Sequence, residues 1–289
     1  MKRRAFLSSL VAAAAAEGWN ERLGIMCQLG AKEAGAREVL TAARAAGFVR
    51  VQVAFTWDRA DSAFVKGVPG WVRAEGLRCE ALGAYVNCVA PDAVVMNTRV
   101  VDFERAIGLA GEMGCGRLVA WTGGYRAGLM DADARNFTTA AEDRIVRFVE
   151  GQLRRLEGAH LRLALETYVT LACPDANALG RVLARLPEFV GAVMDPPNLI
   201  PLARYGARDE EMREMFRVLR GRISVAHLKD FRMAADGRSY DLPGPLKGVV
   251  NYPLYAELLR GLPGDVPVVA EHVGPAEFAE TRRGLLRVL

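Results

Sequence analysis

The chain lacks several features that would settle its function at once. No apolar stretch reaches the roughly 18 residues that a membrane span needs, so no membrane helix is expected. No run of Lys and Arg is interleaved with aromatics, and the basic residues behind the net charge of +4 are scattered, so no nucleic-acid footprint is visible. A GxGxxG fingerprint is missing after the first strand-like run, which removes the usual signal of a dinucleotide-binding open sheet. The five cysteines, at 27, 79, 88, 115 and 173, are odd in number and match neither a zinc knuckle nor a redox CxxC. Cys27 and Cys88 fall inside apolar runs and read as small buried hydrophobes. Internal repeats are absent, and the only low-complexity stretch is an early alanine run.

What is present is an ordinary globular composition, 51% hydrophobic and 25% charged over 289 residues. A length of this kind suits two small domains or one α/β barrel, which commonly needs about 250 residues. Residues 1–16 stand apart. Arg3-Arg4 followed by Phe6-Leu7 resembles a twin-arginine export motif, Phe6–Ala16 makes an apolar h-region, and Ala14-Ala15-Ala16 offers a small-residue cleavage site. The expectation is an exported or periplasmic protein whose barrel occupies 17–289; a cytoplasmic protein with a first helix under the barrel is the alternative.

The remaining sequence alternates short β-rich runs with longer helical ones. Strands are expected at Leu23–Gln28, Val49–Phe55, Leu82–Cys88, Arg117–Trp121, Leu161–Glu166, Val190–Asp195, Ile223–His227 and Val266–Glu271. Helical patterns fall at Lys32–Ala46, Thr98–Met113, Ala134–Leu156, Asn177–Arg185, Asp209–Leu219, Pro253–Leu259 and Ala276–Leu286. Between Asp61 and Gly76 the residues Gly67, Pro69 and Gly70 predict a short or broken helix. Near-continuous apolar strands require burial on both faces, hence a parallel sheet covered by helices. Eight such units predict an α/β fold, a single (β/α)8 TIM barrel.

Barrel active sites form where strands end and βα loops begin. Glu166 ends Leu-Ala-Leu-Glu, Asp195 ends Ala-Val-Met-Asp, His227 ends Ser-Val-Ala-His and Glu271 ends Val-Val-Ala-Glu. Their separations of 29, 32 and 44 residues each span one βα unit, the last with a longer loop. Four adjacent strand ends therefore aim ligands at one point. Crowded carboxylates repel, and a divalent cation relieves that repulsion. Three carboxylates and an imidazole suit Mn2+, Mg2+, Co2+ or Zn2+, with the oxygen-rich set leaning to Mn2+. Trp121 and Tyr125 flank Gly123-Gly124 and are candidate pocket walls. His160 precedes the fifth strand and is expected to face solvent at the barrel bottom.

Glu166-Thr-Tyr, Asp195-Pro-Pro-Asn198, His227-Leu-Lys-Asp230 and Glu271-His272, with Pro243-Gly244, Gly248 and Asn251-Tyr252, resemble the strand ends and seventh-strand loop of the xylose isomerase-like sugar (phosphate) isomerase/epimerase superfamily. The similarity runs from Leu23 to Leu289, and His-x-Lys-Asp is its most specific part. The resemblance implies one divalent metal held by Glu166, Asp195, His227 and Glu271, with Glu166 and Glu271 also exchanging a proton with a substrate carbon. Lys229, Asn198, Asp230, Trp121 and His272 are the substrate-binding candidates. Some positions depart from ketose 3-epimerases similar to D-tagatose 3-epimerase. Asn198 stands where those enzymes carry histidine, Ala172 where they carry a further glutamate, and Met233, beside Arg232, where they carry arginine.

The leading expectation is a metal-dependent isomerase or epimerase that moves a proton next to a carbonyl through an enediolate. A dehydratase of an inosose or related polyol on the same metal is the first alternative, and a non-catalytic sugar-binding barrel the second. The superfamily's DNA-repair endonucleases use multi-zinc clusters rich in histidine, whereas this chain has three histidines. The expected partner is a small sugar or polyol, not nucleic acid or membrane, with self-association left open.

Overall fold

The computed structural model describes residues 18–92, 98–126, 128 and 131–289. The expected leader at 1–16 lies outside them. Eight parallel strands close a barrel. In chain order they are β1 (Leu23–Gln28), β2 (Arg50–Ala54), β3 (Arg78–Asn87), β4 (Arg117–Trp121), β5 (Arg162–Glu166), β6 (Val190–Met194), β7 (Ile223–Leu228) and β10 (Val268–Ala270). β10 pairs with both β7 and β1, which completes the ring. A two-stranded antiparallel hairpin, β8 (Arg232–Met233) and β9 (Tyr240–Asp241), lies in the loop after β7. Helices α1 (Glu33–Ala45), α2 (Ser62–Ala74), α3 (Val100–Glu112), α4 (Thr139–Gly158), α5 (Ala176–Leu183), α6 (Pro196–Leu199), α7 (Arg208–Val218), α8 (Tyr252–Arg260) and α9 (Phe278–Val288) follow their strands. Among the described residues no helix is long and apolar enough to cross a membrane.

The strand expected at 266–271 shortens to Val268–Ala270, the helix expected from Ala134 starts at Thr139, and the β8–β9 hairpin was not expected. Two further elements differ more. β3 begins at Arg78 rather than Leu82. Its first residues include two charged ones and gave no apolar signal, yet Arg78 and Cys79 pair with Arg50 and Val51 of β2 before the register shifts past Glu80, whose carboxylate meets Arg50 and Arg78. α2 is neither short nor broken; it runs for 13 residues through Pro69. Proline in a helix interior costs about 3 kcal/mol. Here that cost is offset by burial of Phe64, Val65, Val68, Pro69 and Val72 on one face and by the Asp61 cap, which accepts from Phe64 N at 2.7 Å.

The strand period of two sorts each strand between two cores. One face packs beneath the helices, a cluster that includes Ile25, Val51, Leu82, Leu118 and Leu165. The other fills the barrel interior with Ala81, Val119, Ala164, Val193, Val225 and Val269. Along the inward face, β5 reads Arg162, Ala164, Glu166 and β4 reads Arg117, Val119, Trp121. Each column thus runs from arginine at the bottom, through a small apolar residue, to a functional candidate at the top. Gly191 lets β7 come close: a Cβ there would sit 2.4 Å from the Arg222 carbonyl oxygen. All five cysteines are buried and free, and His160 is exposed before β5.

Candidate metal centre

Local chain geometry places each of the four strand-end residues. Asp195 precedes two prolines that start α6, and its carbonyl accepts from Asn198 N at 3.0 Å. That turn brings the Asn198 amide to Glu166, where Nδ2 donates to Oε1 at 3.2 Å. On α8, the Tyr255 hydroxyl lies 2.9 Å from the His227 carbonyl and 3.2 Å from that of Met194, tying the ends of β7 and β6. The neighbouring Tyr252 hydroxyl donates to the Lys229 carbonyl at 3.0 Å. Glu271 lies one residue past β10, and its N–H still bonds the Leu228 carbonyl of β7 at 3.0 Å.

The result is one cluster. Glu166, Asp195, His227 and Glu271 each offer a ligand atom, these atoms lie within 4.8 Å of one another, and all four residues are buried. His227 Nδ1 stands 3.3 Å from Glu271 Oε2 and 3.6 Å from both Glu166 Oε1 and Asp195 Oδ2. Its other nitrogen, Nε2, is 3.0 Å from Gln52 Oε1. Lys229 Nζ donates at 2.7 Å to Asp195 Oδ2 and again at 2.7 Å to Glu271 Oε1.

These residues fit a divalent cation on two counts. First, His227 Nδ1, Glu166 Oε2 and Asp195 Oδ1 are buried without a hydrogen-bond partner. Buried polar atoms of this kind are rare unless an ion or water meets them. Second, three carboxylates against one ammonium leave two negative charges uncompensated, the charge a divalent cation supplies.

The protonation behaviour expresses the same imbalance. Burial opposes a charged imidazole, yet Glu271 and Glu166 outweigh it and raise His227 well above its ordinary value. Burial also opposes the Lys229 ammonium, and Asp195 and Glu271 overcome it, holding that pKa above the usual lysine value. The two glutamates part company. Burial dominates at Glu166 and raises its carboxyl despite His227. At Glu271 burial is more than offset by His227 and Lys229, which hold it well below the carboxylate range.

Above the cluster opens a cavity of about 360 Å³. Of the substrate-binding candidates, Trp121, Asn198, Lys229 and His272 line it together with Glu166 and Glu271. His272 takes a left-handed backbone, φ 57°, which turns it toward the mouth instead of continuing the strand alternation. Its Nδ1 lies 2.7 Å from the Leu242 carbonyl. Asp230 is placed elsewhere: its Oδ1 accepts from Phe231 N and Val250 N, both at 2.9 Å, and folds the loop after β7. Gly248 is required beside it, since a Cβ would come within 2.3 Å of that oxygen. Tyr125 packs under the Arg135 and Arg144 guanidinium groups and does not line the cavity. Arg232, beside Met233, pairs with Asp241 at the surface, and Ala172 is buried in the loop after β5.

Several lining or supporting residues were given no role in the sequence reading, chief among them Gln52, Tyr85 and Tyr168. Gln52 is fully buried in β2 and bridges His227 to Tyr85, donating from Nε2 to the Tyr85 hydroxyl at 2.9 Å. Tyr85 and Tyr168 line the cavity, and Tyr85 stacks on Trp121 with centroids 5.4 Å apart. Gln52 did carry a signal. It is a lone amide among Val51, Val53 and Ala54, and an amide in a strand buried on both faces must find partners.

The fold recurs in solved structures of low identity. A xylose isomerase-like TIM barrel protein from Mycobacterium smegmatis, in complex with magnesium, aligns with TM-score 0.66 at 18% identity, covering 89% of each chain. A D-psicose 3-epimerase, determined in the presence of D-fructose, aligns with TM-score 0.66 at 12% identity over 92% of this chain and 97% of its own. The probable 3-DHS dehydratase AsbF from Bacillus anthracis aligns with TM-score 0.65 at 12% identity over 91% of this chain and 98% of its own. No curated protein matches the sequence significantly. A family model does match, over residues 40–287, which take in every barrel strand but the first and all four cluster residues, and the chain therefore belongs to the xylose isomerase-like TIM barrel family.

Proposed function

We propose that the protein is a divalent-metal-dependent isomerase or epimerase of a sugar or related polyol, with Glu166 and Glu271 as the proton-transferring pair. The observation that carries this reading is the double exposure of these two glutamates: both belong to the four-residue cluster and both line the cavity above it. Glu166, Asp195, His227 and Glu271 would hold the cation, with Mn2+ favoured by the oxygen-rich donor set. When bound, the cation acts as a Lewis acid that acidifies a C–H next to a carbonyl. The chain's own residues do the rest. One glutamate removes that proton, and the other returns one from its own side of the substrate. Lys229 donates to Asp195 and Glu271 and holds their carboxylates in place, Asn198 orients Glu166, and Trp121 and His272 shape the pocket wall.

The test is deuterium uptake from D2O, followed by NMR on Mn2+- or Mg2+-loaded protein across ketoses and inososes. Exchange at a carbon next to the carbonyl with retained mass is expected. Loss of water instead would assign a dehydratase, the second reading. That reading draws on Lys229, a buried ammonium at the cavity able to protonate a departing hydroxyl, and on the likeness to the probable dehydratase. Neither exchange nor dehydration anywhere in the panel leaves a sugar-binding barrel. Residues 1–16 are read as an export leader; an intact mass of the native protein that retains them refutes that reading.

A further inference from the structure

The cavity wall formed by β3 and β4 contains a hydroxyl whose direction is set from the metal centre. His227 turns Nδ1 toward three carboxylates and Nε2 toward Gln52. A ring nitrogen that holds a cation carries no proton, so the proton of the neutral ring sits on Nε2. A doubly protonated ring also carries Nε2–H, so the direction is the same in either state. Nε2–H donates to Gln52 Oε1, which fixes the amide: its NH2 end must face the other way. That end lies 2.9 Å from the Tyr85 oxygen and donates to it. Tyr85 thereby accepts one bond and keeps its own proton. Among the described residues none accepts that proton, and Tyr85 borders the cavity.

We propose that Tyr85 is a substrate-binding donor, committed by His227 through Gln52 to give its proton to a carbonyl or hydroxyl oxygen of a neutral hydroxycarbonyl compound. Gln52 is then a positioning residue, and the relay His227–Gln52–Tyr85 links metal occupancy to recognition of a substrate oxygen. The substrate class rests on the isomerase reading; the direction of the relay does not.

Two variants and one probe test it. Tyr85→Phe deletes the donor. Gln52→Glu still accepts from His227 but has no N–H, so Tyr85 must donate to the new carboxylate and turns a lone pair toward the cavity. The probe is dihydroxyacetone, titrated to high concentration into Mg2+-loaded protein and followed by NMR. Each variant is expected to weaken probe binding about five- to tenfold, the scale of one lost hydrogen bond. The double variant should be no weaker than either single one, because all three lack the same bond. Mg2+ affinity should be held in Tyr85→Phe and held or increased in Gln52→Glu. If Gln52 were merely structural, Gln52→Glu would lower Mg2+ affinity and unfolding temperature and leave the probe titration alone. Indistinguishable titrations for wild type and Tyr85→Phe, flat ones included, overturn the proposal, as do additive losses. So does a 15N spectrum that puts the His227 proton on Nδ1 in the Mg2+-loaded protein. None of these readouts needs turnover: a protein that fails the D2O screen yet shows the paired loss refutes the isomerase reading and keeps the relay.

Discussion

The two ends of the barrel interior bury charge by opposite rules. At the bottom the charges are arginines met mostly by neutral backbone. Arg222 Nη2 donates to the carbonyls of Leu186, Pro187 and Val190 at 2.7–3.1 Å, closing the turn between α5 and β6. Arg22 reaches the carbonyls of Leu259, Pro263 and Val266 at 3.0–3.3 Å. Arg117 bonds both the backbone and the carboxylate of Asp265. At the top the charges are carboxylates packed against one another, with a single ammonium between two of them and three polar atoms without partners. Both ends keep buried atoms without partners, Arg50 Nε, Arg117 Nε and Ser224 Oγ among them at the bottom. There, however, each guanidinium is met at another nitrogen by an oxygen of the chain, whereas at the top the carboxylates and the imidazole Nδ1 are left to be completed by something the chain does not contain.

The most severe way to break this contrast is chemical. Glu166→Gln or Glu271→Gln keeps volume and an oxygen ligand but removes the base. Solvent deuterium exchange at the substrate carbon should fall by about a hundredfold or more, the scale of a lost general base. Arg222→Met at the bottom should leave the rate per folded molecule unchanged. Equal losses at both ends, measured on the same metal-loaded preparations, would erase the functional distinction.

Next comes the ammonium. In metal-free protein, Lys229→Met leaves Asp195 and Glu271 buried beside Glu166 with no counter-charge from that side. Removing one partner of a buried pair costs about 3–5 kcal/mol. Urea unfolding with and without saturating Mg2+ should show that loss in the metal-free protein and most of it recovered on loading. A loss that metal does not change would mean that Lys229 acts only through packing.

Metal itself should stabilise the top alone. At a hundred times its Kd, a cation that binds only the folded state adds about 2.7 kcal/mol. Wild type should show this gain in denaturant unfolding, and His227→Ala should lose most of it along with most of the bound ion by elemental analysis. Folded wild type that takes up no ion even after reconstitution would refute the metal centre.

The smallest effect is expected at the bottom. Arg222→Met removes a guanidinium from three carbonyls at a half-buried site, and should cost about 1–2 kcal/mol, the range for hydrogen bonds to a charged group after partial compensation by water. That loss should be the same with and without metal. A metal-dependent loss would show that the two ends communicate.

Much of this organisation was legible from residue order. Apolar runs bounded by Glu166, Asp195, His227 and Glu271 located four strand ends, because a carboxylate or imidazole closing a doubly buried strand interrupts its hydrophobic pattern. The same reasoning missed the start of β3, where Glu80 hides strand character by pairing with Arg78 on its own strand and with Arg50 across on β2. It misread α2, because Pro69 signals a break locally while the packing of its face is decided by neighbours distant in sequence. Among the site residues, Asp230 and Lys229 occupy adjacent positions of one motif but face different partners, a loop backbone and two carboxylates.

The sequence by itself determined the periodicities, hence the parallel barrel and the chemical type of the residues at its strand ends, since burial on both faces and strand alternation are local properties of residue order. Only closure of the barrel decided which groups meet. Gln52 and His227 are 175 positions apart, and the bond between them exists because the strands that carry them converge across the interior. Convergence of that kind sets hydrogen-bond direction, counter-charge and cavity shape together, and none of the three is a property of any one segment.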